Sequence, residues 1–166
     1  MAGSSRNDED QKIKTCLWFE GDAEEAVEFY TSLFPGARTL EVQRYPEAGP
    51  GETGSVMTIV FELEGRQFIA LNGGKVPFRF NESVSLSVEC DTQEEIDRLW
   101  ASLTEGGEEV ECGWLKDRYG LSWQIVPRVL KELLRDADQQ RVERAMQAML
   151  GMCRLDIAQL EEAAAG

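Results

Sequence analysis

A chain of 166 residues with 42% hydrophobic and 29% charged side chains has the length and apolar content for one folded domain, which excludes wholesale disorder. Thirty-one acidic residues against 17 basic ones leave a formal charge of −14, excluding the basic stripe that a nucleic-acid backbone demands and opposing an anionic membrane surface. Histidine is absent, and with it the commonest general base, the commonest metal ligand and the usual switch near neutral pH.

The leader up to about Gln11 is polar and is expected to be flexible. It has no apolar core of a secretory signal, and no apolar run in the chain reaches bilayer length. The four cysteines, Cys16, Cys90, Cys112 and Cys153, form no CxxC pair. Reduced thiols in the cytoplasm are the expectation, most of them buried as small apolar side chains. Ile13–Phe19 (IKTCLWF) reads as a short buried strand. Asp22 then opens a helix whose Ala26, Phe29, Tyr30 and Leu33 form one apolar stripe, and Pro35-Gly36 ends it. Arg38–Tyr45 is a strand, Pro46–Gly54 a loop of turn formers, and Ser55–Leu63 with Arg66–Leu71 a hairpin closed by Glu64-Gly65.

A second cycle follows. Val84–Cys90 alternates apolar and polar side chains, as a strand with one packed face does. Thr92–Leu103 is a helix with Thr92 as N-cap and Glu95 in the capping-box position, ended by Gly106-Gly107. Glu108–Leu115, Lys116–Tyr119 and Ser122–Pro127 read as strands or hairpin arms; Val129–Leu134, Arg141–Met152 and Ile157–Ala164 as helices. At an offset of 70, Glu24-Glu25 falls on Glu94-Glu95, Phe29-Tyr30 on Leu99-Trp100, Gly36 on Gly106, and Thr15 on Ser85. The shared order of strand, helix, glycine stop and strands predicts a duplicated βαβββ unit.

The strings TCLWFEGDAEEAVEFYTSLFPGA (Thr15–Ala37), FIALNGG (Phe68–Gly74), FNESVSLSVECDTQEEIDRLW (Phe80–Trp100) and CGWLKDRYGLSWQIVP (Cys112–Pro127) resemble the PhnB-like subgroup of the vicinal-oxygen-chelate superfamily. That superfamily includes glyoxalases and bleomycin-resistance proteins, and the subgroup carries the label 3-demethylubiquinone-9 3-methyltransferase. The resemblance implies an α+β fold of tandem βαβββ units, about 12–76 and 80–127, forming one domain, with a C-terminal helical extension over 128–166. It implies half-open sheets cupped around a pocket, helices outside, and a homodimer. Metal-dependent relatives place a ligand on the first and last strand of each unit. The corresponding positions here are Thr15, Ile69, Ser85 and Gln124, to within about one residue. None is a carboxylate, imidazole or thiolate, so no metal and no cofactor is expected. Gln124 stands where relatives carry a glutamate after an Asp-x-x-Gly turn, here Asp117 to Gly120.

The candidate ligand-binding residues are Thr15, Asn72, Ser85, Ser87, Trp114 and Gln124. Ser83, Ser85 and Ser87 line one face of their strand, which meets either a pocket or solvent. Asn72-Gly73-Gly74 is a turn at a strand end, with Asn72 at the pocket mouth. Trp100 and Trp123 read as core; Trp114 is either pocket wall or core. Cys16 and Cys112 lack a neighbouring base and read as inert thiols. Val142, Met146, Met149, Leu150 and Met152 form a stripe that caps the chain's own sheet or packs on a second subunit. The leading function is metal-independent binding of an unknown small molecule, without nucleic-acid or membrane partners. One alternative is an isomerase or lyase using Tyr119, Asp117 or a loop carboxylate. Another is the methyltransferase of the label, disfavoured because Phe19-Glu20-Gly21-Asp22 holds a single glycine where an S-adenosylmethionine turn is glycine-rich.

Overall fold

The computed structural model describes residues 11–166; the leader expected over residues 1–11 falls, apart from Gln11, outside them. A first unit, ending at Pro77, contains β1 (Thr15–Phe19), α1 (Ala23–Leu33), β2 (Arg38–Arg44), β3 (Val56–Leu63) and β4 (Arg66–Asn72). Its sheet runs β1-β4-β3-β2, with β1 parallel to β4 and the other pairs antiparallel. A second unit, beginning at Phe78, repeats the plan with β5 (Ser85–Cys90), α2 (Gln93–Thr104), β6 (Glu108–Glu109), β7 (Trp114–Lys116) and β8 (Ser122–Pro127). Its order is β5-β8-β7-β6, with β5 parallel to β8. The fold is α+β, two βαβββ modules, and C-terminal helices α3 (Arg128–Leu133), α4 (Gln139–Leu150) and α5 (Ile157–Ala165) follow in the second unit.

Local chemistry sets the elements. The β3–β4 hairpin turns on Glu64 and Gly65, at φ +47° and +73°, the paired positive values that a two-residue turn needs to match strand twist. Thr92 caps α2 by accepting from the Glu95 backbone N–H at 3.2 Å, and Glu95 Oε2 accepts from Asp91 N at 3.0 Å. Asp22 makes no capping bond to α1 through its side chain. Asn72, at the end of the neighbouring strand β4 and opposite Phe19, accepts from Ala23 N at 3.0 Å instead.

Each sheet has one face under its helix. In the first unit Leu17, Phe19, Ile59, Phe61, Phe68 and Ala70 are buried against Ala26, Val27, Tyr30 and Leu33 of α1. Phe61 stacks on Tyr30 at 6.3 Å and on Phe68 at 5.4 Å between ring centroids. In the second, Leu115, Trp123 and Ile125 are buried with Ile96, Leu99, Trp100 and Leu103 of α2. Cys90 is fully buried there, and burial pushes its thiol up from 9.0 to about 12.

Two expected elements differ. Glu108–Leu115 is not one strand: after β6 the chain turns through Cys112 and Gly113, at φ +61° and +82°, before β7 begins. Lys116–Tyr119 is not a strand beyond Lys116, because Asp117 builds a turn. Its Oδ1 accepts from Tyr119 N and Leu121 N, and its Oδ2 from Trp123 Nε1 at 2.9 Å. The repeat register also differs. The helices superpose at 70 (Tyr30 on Trp100), but the strands superpose at 71 (Phe19 on Cys90), since Glu20–Asp22 spans three residues and Asp91–Thr92 two.

The C-terminal helices enclose a small core of Leu130, Leu133, Ala145, Leu155, Leu160 and Ala164, on which Met149 and Met152 pack. Of the expected α4 stripe, Met146 and Leu150 are exposed. Gln93 ties this core to α2, donating to Leu155 O at 3.1 Å and accepting from Ile157 N at 2.9 Å. No helix among the described residues is long and apolar enough to cross a membrane.

Two outcomes follow from burial. Asp117→Ala strands three donors inside the β7–β8 turn and is expected to cost about 3 kcal/mol, a fall in Tm of roughly 10 °C by calorimetry. Cys90 is expected to stay unalkylated by iodoacetamide in the folded protein at pH 8. Because its folded pKa lies above the unfolded one, its contribution to stability is intact below pH 9.0 and is lost as pH rises towards about 12. Denaturant titrations across that window read it.

Candidate functional site

Side chains directly paired across a sheet point to the same face. In the second unit Ser87, Gln124 and Trp114 are register partners on β5, β8 and β7, and form one row across three strands. Ser85, Ser122 and Lys116 form the adjacent row. All six lie on the face turned away from Trp123, Ile125 and α2. Gln124 Nε2 donates to Ser85 Oγ at 2.9 Å, linking the two rows. Four of the six sequence-predicted residues, Ser85, Ser87, Trp114 and Gln124, are therefore brought together on one polar face. Ser87 is exposed and the other three half-buried.

The charge at the edge of this face is internally satisfied. Lys116 Nζ is ion-paired with Glu82 and lies 4.0 Å from Glu108. The hydrogen bond to Lys116 holds the Glu82 carboxyl below its ordinary value and raises the lysine. Glu89 of β5, in phase with Ser87, is likewise paired, with Lys131 at 3.0 Å; the other polar groups on the strands are neutral hydroxyls and an amide, beside an indole ring. Ser122, 1% exposed, carries a hydroxyl with no hydrogen-bond partner. Sequence reading passed over it, although its place two residues before Gln124 marks it for the same face.

Thr15 and Asn72 are placed elsewhere. Thr15 shares its face with Leu17 and Phe19, the helix-covered side of the first sheet. The residues of β1 and β4 that face away from α1 are Cys16 and Trp18, paired with Ile69 and Leu71. The first-and-last-strand positions on the uncovered faces are thus Cys16 with Ile69 in one module and Ser87 with Gln124 in the other. The one-residue difference in loop length hid Cys16 and Trp18 from the offset of 70.

Asn72 ends β4 and spends its amide on the fold: Oδ1 accepts from Ala23 N and Nδ2 donates to Val56 O at 3.1 Å. Its carbonyl accepts from Tyr45 Oη at 2.6 Å. It nevertheless lines a cavity of about 280 Å³ within the first unit, with Glu20, Glu24, Tyr45, Ser55 and Gly73 among the other walls. Glycine is required beside it: a Cβ on Gly73 would lie 2.2 Å from the Trp18 ring, whose Nε1 donates to Gly74 O at 3.0 Å. Its signals in the sequence are the glycine-rich loop after Tyr45 and the Asn72-Gly73-Gly74 turn.

Donor chemistry decides what these faces can hold. In the first module Cys16 and Ile69 offer one thiol, and in the second Ser87 and Gln124 offer a hydroxyl and an amide; neither pair has a carboxylate or imidazole, and neither fits a divalent cation. Among the described residues no three Cys, Asp or Glu side chains converge as a metal site requires. Asp117 has both oxygens committed to the turn.

The family model described as 3-demethylubiquinone-9 3-methyltransferase matches residues 11–126. The solved PhnB protein of Bacillus cereus is 41% identical, with a TM-score of 0.66 over 70% of this chain and 99% of that one. Protein PA1353 of Pseudomonas aeruginosa is 20% identical, TM-score 0.58, over 71% of this chain and 98% of its own. The fosfomycin resistance protein FosX of Listeria monocytogenes, solved with Mn(II) and sulfate, is 15% identical, TM-score 0.52, over 75% and 98%. These last two are likenesses of fold. No curated protein compared with the chain matches it.

Removing the orphaned hydroxyl by Ser122→Ala is expected to leave Tm unchanged or raise it, because an unsatisfied buried donor contributes no compensating bond. Calorimetry on the purified variant reads the sign.

Proposed function

Because the chain belongs to the 3-demethylubiquinone-9 3-methyltransferase family, on a glyoxalase/bleomycin-resistance-like fold, we propose that it binds a small neutral molecule without a metal. The observation that carries this reading is the row Ser87–Gln124–Trp114, joined to Ser85 by the 2.9 Å bond from Gln124. Hydroxyl and amide groups donate and accept hydrogen bonds, and an indole ring offers a flat apolar surface to a planar ligand. A ligand with hydroxyl, carbonyl or amide groups on a planar frame suits that set; a strongly charged one does not, since Lys116 is already neutralised by Glu82.

FosX of Listeria monocytogenes is solved with Mn(II). The corresponding donors here supply neither carboxylate nor imidazole, so no step through a metal is derived. The isomerase or lyase alternative needs a titratable acid or base on the same face. Of its candidates Tyr119, Asp117 or a loop carboxylate, Asp117 is engaged by three donors and buried, and the titratable groups on the face itself, Lys116 and Glu89, are ion-paired with Glu82 and Lys131, which favours binding without covalent chemistry. The methyltransferase of the family description would require a dinucleotide-style glycine turn after a strand of a parallel sheet. Phe19 leads instead through Glu20-Gly21-Asp22 into α1, in a sheet with one parallel pair.

Native mass spectrometry of the protein as purified is expected to retain a co-purified organic molecule, lost in Gln124→Leu, and no stoichiometric metal. Calorimetric titration with Mn(II) and with S-adenosylmethionine is expected to show no saturable binding in the micromolar range. Stoichiometric manganese, zinc, nickel or iron would overturn metal independence, and micromolar S-adenosylmethionine binding would restore the methyltransferase.

A further inference from the structure

Within the second unit, the segment after α4 returns to the turn that precedes β7. Cys112 N donates to Met152 O at 2.7 Å, and Gly113 N donates to Cys153 O at 2.8 Å. These bonds set two cysteines side by side that are 41 positions apart in sequence (153 − 112). One N–Cα bond, the 2.7 Å hydrogen bond and the reach from a carbonyl oxygen to the next Cα, taken with the bend at nitrogen, hold the two Cα atoms within about 6.5 Å. A disulfide spans Cα separations of about 4.4–6.8 Å. We propose that Cys112 and Cys153 form a reversible dithiol–disulfide pair that staples the C-terminal helices to the turn carrying Trp114.

Three further features support the assignment. Cys112 adopts φ +61°, a conformation that favours glycine or asparagine, so its side chain occupies a position that backbone preference alone would not give to cysteine. Cys153 is exposed and Cys112 half-buried, so a small oxidant reaches the pair, whereas Cys90 is sealed in the core. The seam is already docked: Leu155, fully buried, packs so close that a Cβ on Gly113 would come within 3.0 Å of it. The bridge would therefore cross a preformed contact, with Trp114 two positions beyond Cys112.

The chemistry balances with a hydroperoxide as oxidant. The Cys153 thiolate attacks the peroxide oxygen and becomes a sulfenic acid as the O–O bond breaks, releasing water or an alcohol. The Cys112 thiolate then displaces the sulfenic oxygen as a second water, so that two thiols lose two electrons and two protons to the peroxide. A low-molecular-weight thiol reverses the step. Such pairs in reducing compartments are transient and redox-sensing.

The full chain treated with one equivalent of hydrogen peroxide, alkylated and digested without reductant, is expected to yield one cross-linked peptide pair containing Cys112 and Cys153. Intact mass should fall by two hydrogens and recover in dithiothreitol. Closing a loop of roughly 40 residues is expected to raise Tm by about 5–10 °C in the oxidised protein. Cys153→Ser, at an exposed position, should abolish both changes while Cys16→Ser keeps them. A cross-link through another cysteine, or over-oxidised Cys153 beside a Cys112 that still alkylates, would overturn the proposal. None of these readouts involves a ligand, so they stand or fall apart from the binding function.

Discussion

Pairing of the first strand of each module with its last, in parallel, organises both halves of this protein. Once β1 lies on β4 and β5 on β8, every side chain on those strands is committed to one of two faces. The helix that follows each first strand covers one face and buries Phe61, Phe68, Trp123 and Ile125. The other face is not covered by that helix. Burial drives the choice, since each large apolar side chain removed from water contributes about 1.5–3 kcal/mol. Polar residues that alternate with the core are carried to the opposite side without further cost.

That parity separates the two modules chemically. The uncovered face of the second carries Ser85, Ser87, Gln124 and Trp114, while that of the first carries Cys16, Trp18, Ile69 and Leu71. The second offers hydrogen-bonding groups at these positions; the first is apolar along β1 and β4 and turns polar towards β3 and β2, with Thr58, Glu62, Gln43 and Arg38. A duplicated scaffold thus keeps the same backbone pairing while its two halves present different surfaces. The Asp117 turn shows the converse economy: a carboxylate that sequence reading allowed as an acid or base is consumed in holding β7 against β8.

The C-terminal helices lie beyond the family match, which ends at residue 126. They are nonetheless integrated into the second unit through Gln93, Leu155 and the Cys112–Gly113 turn. Arg154 with Asp97, and Lys131 with Glu89, add exposed ion pairs along the same seam, each of small energetic weight. The apolar contacts and the half-buried amide of Gln93 hold the extension. Trp114 is therefore connected, through Cys112 and Gly113, to a segment outside the family match.

Sequence alone determined the module plan, the hairpin at Glu64-Gly65, the Thr92 cap and the shared face of Ser85 and Ser87, because periodicity and turn chemistry are local. It also showed the absence of histidine, since composition needs no coordinates. Tertiary structure decided the rest. An alternation of period two inverts on a single inserted residue, so the extra loop residue before α1 leaves Thr15, exposed at the strand's start, in phase with Leu17 and Phe19, and Cys16 on the opposite face. Asn72 caps a helix 49 positions away, and Cys112 meets Cys153 across a turn at positive φ. Contacts of that range depend on where distant backbone atoms come to rest, which no local pattern encodes.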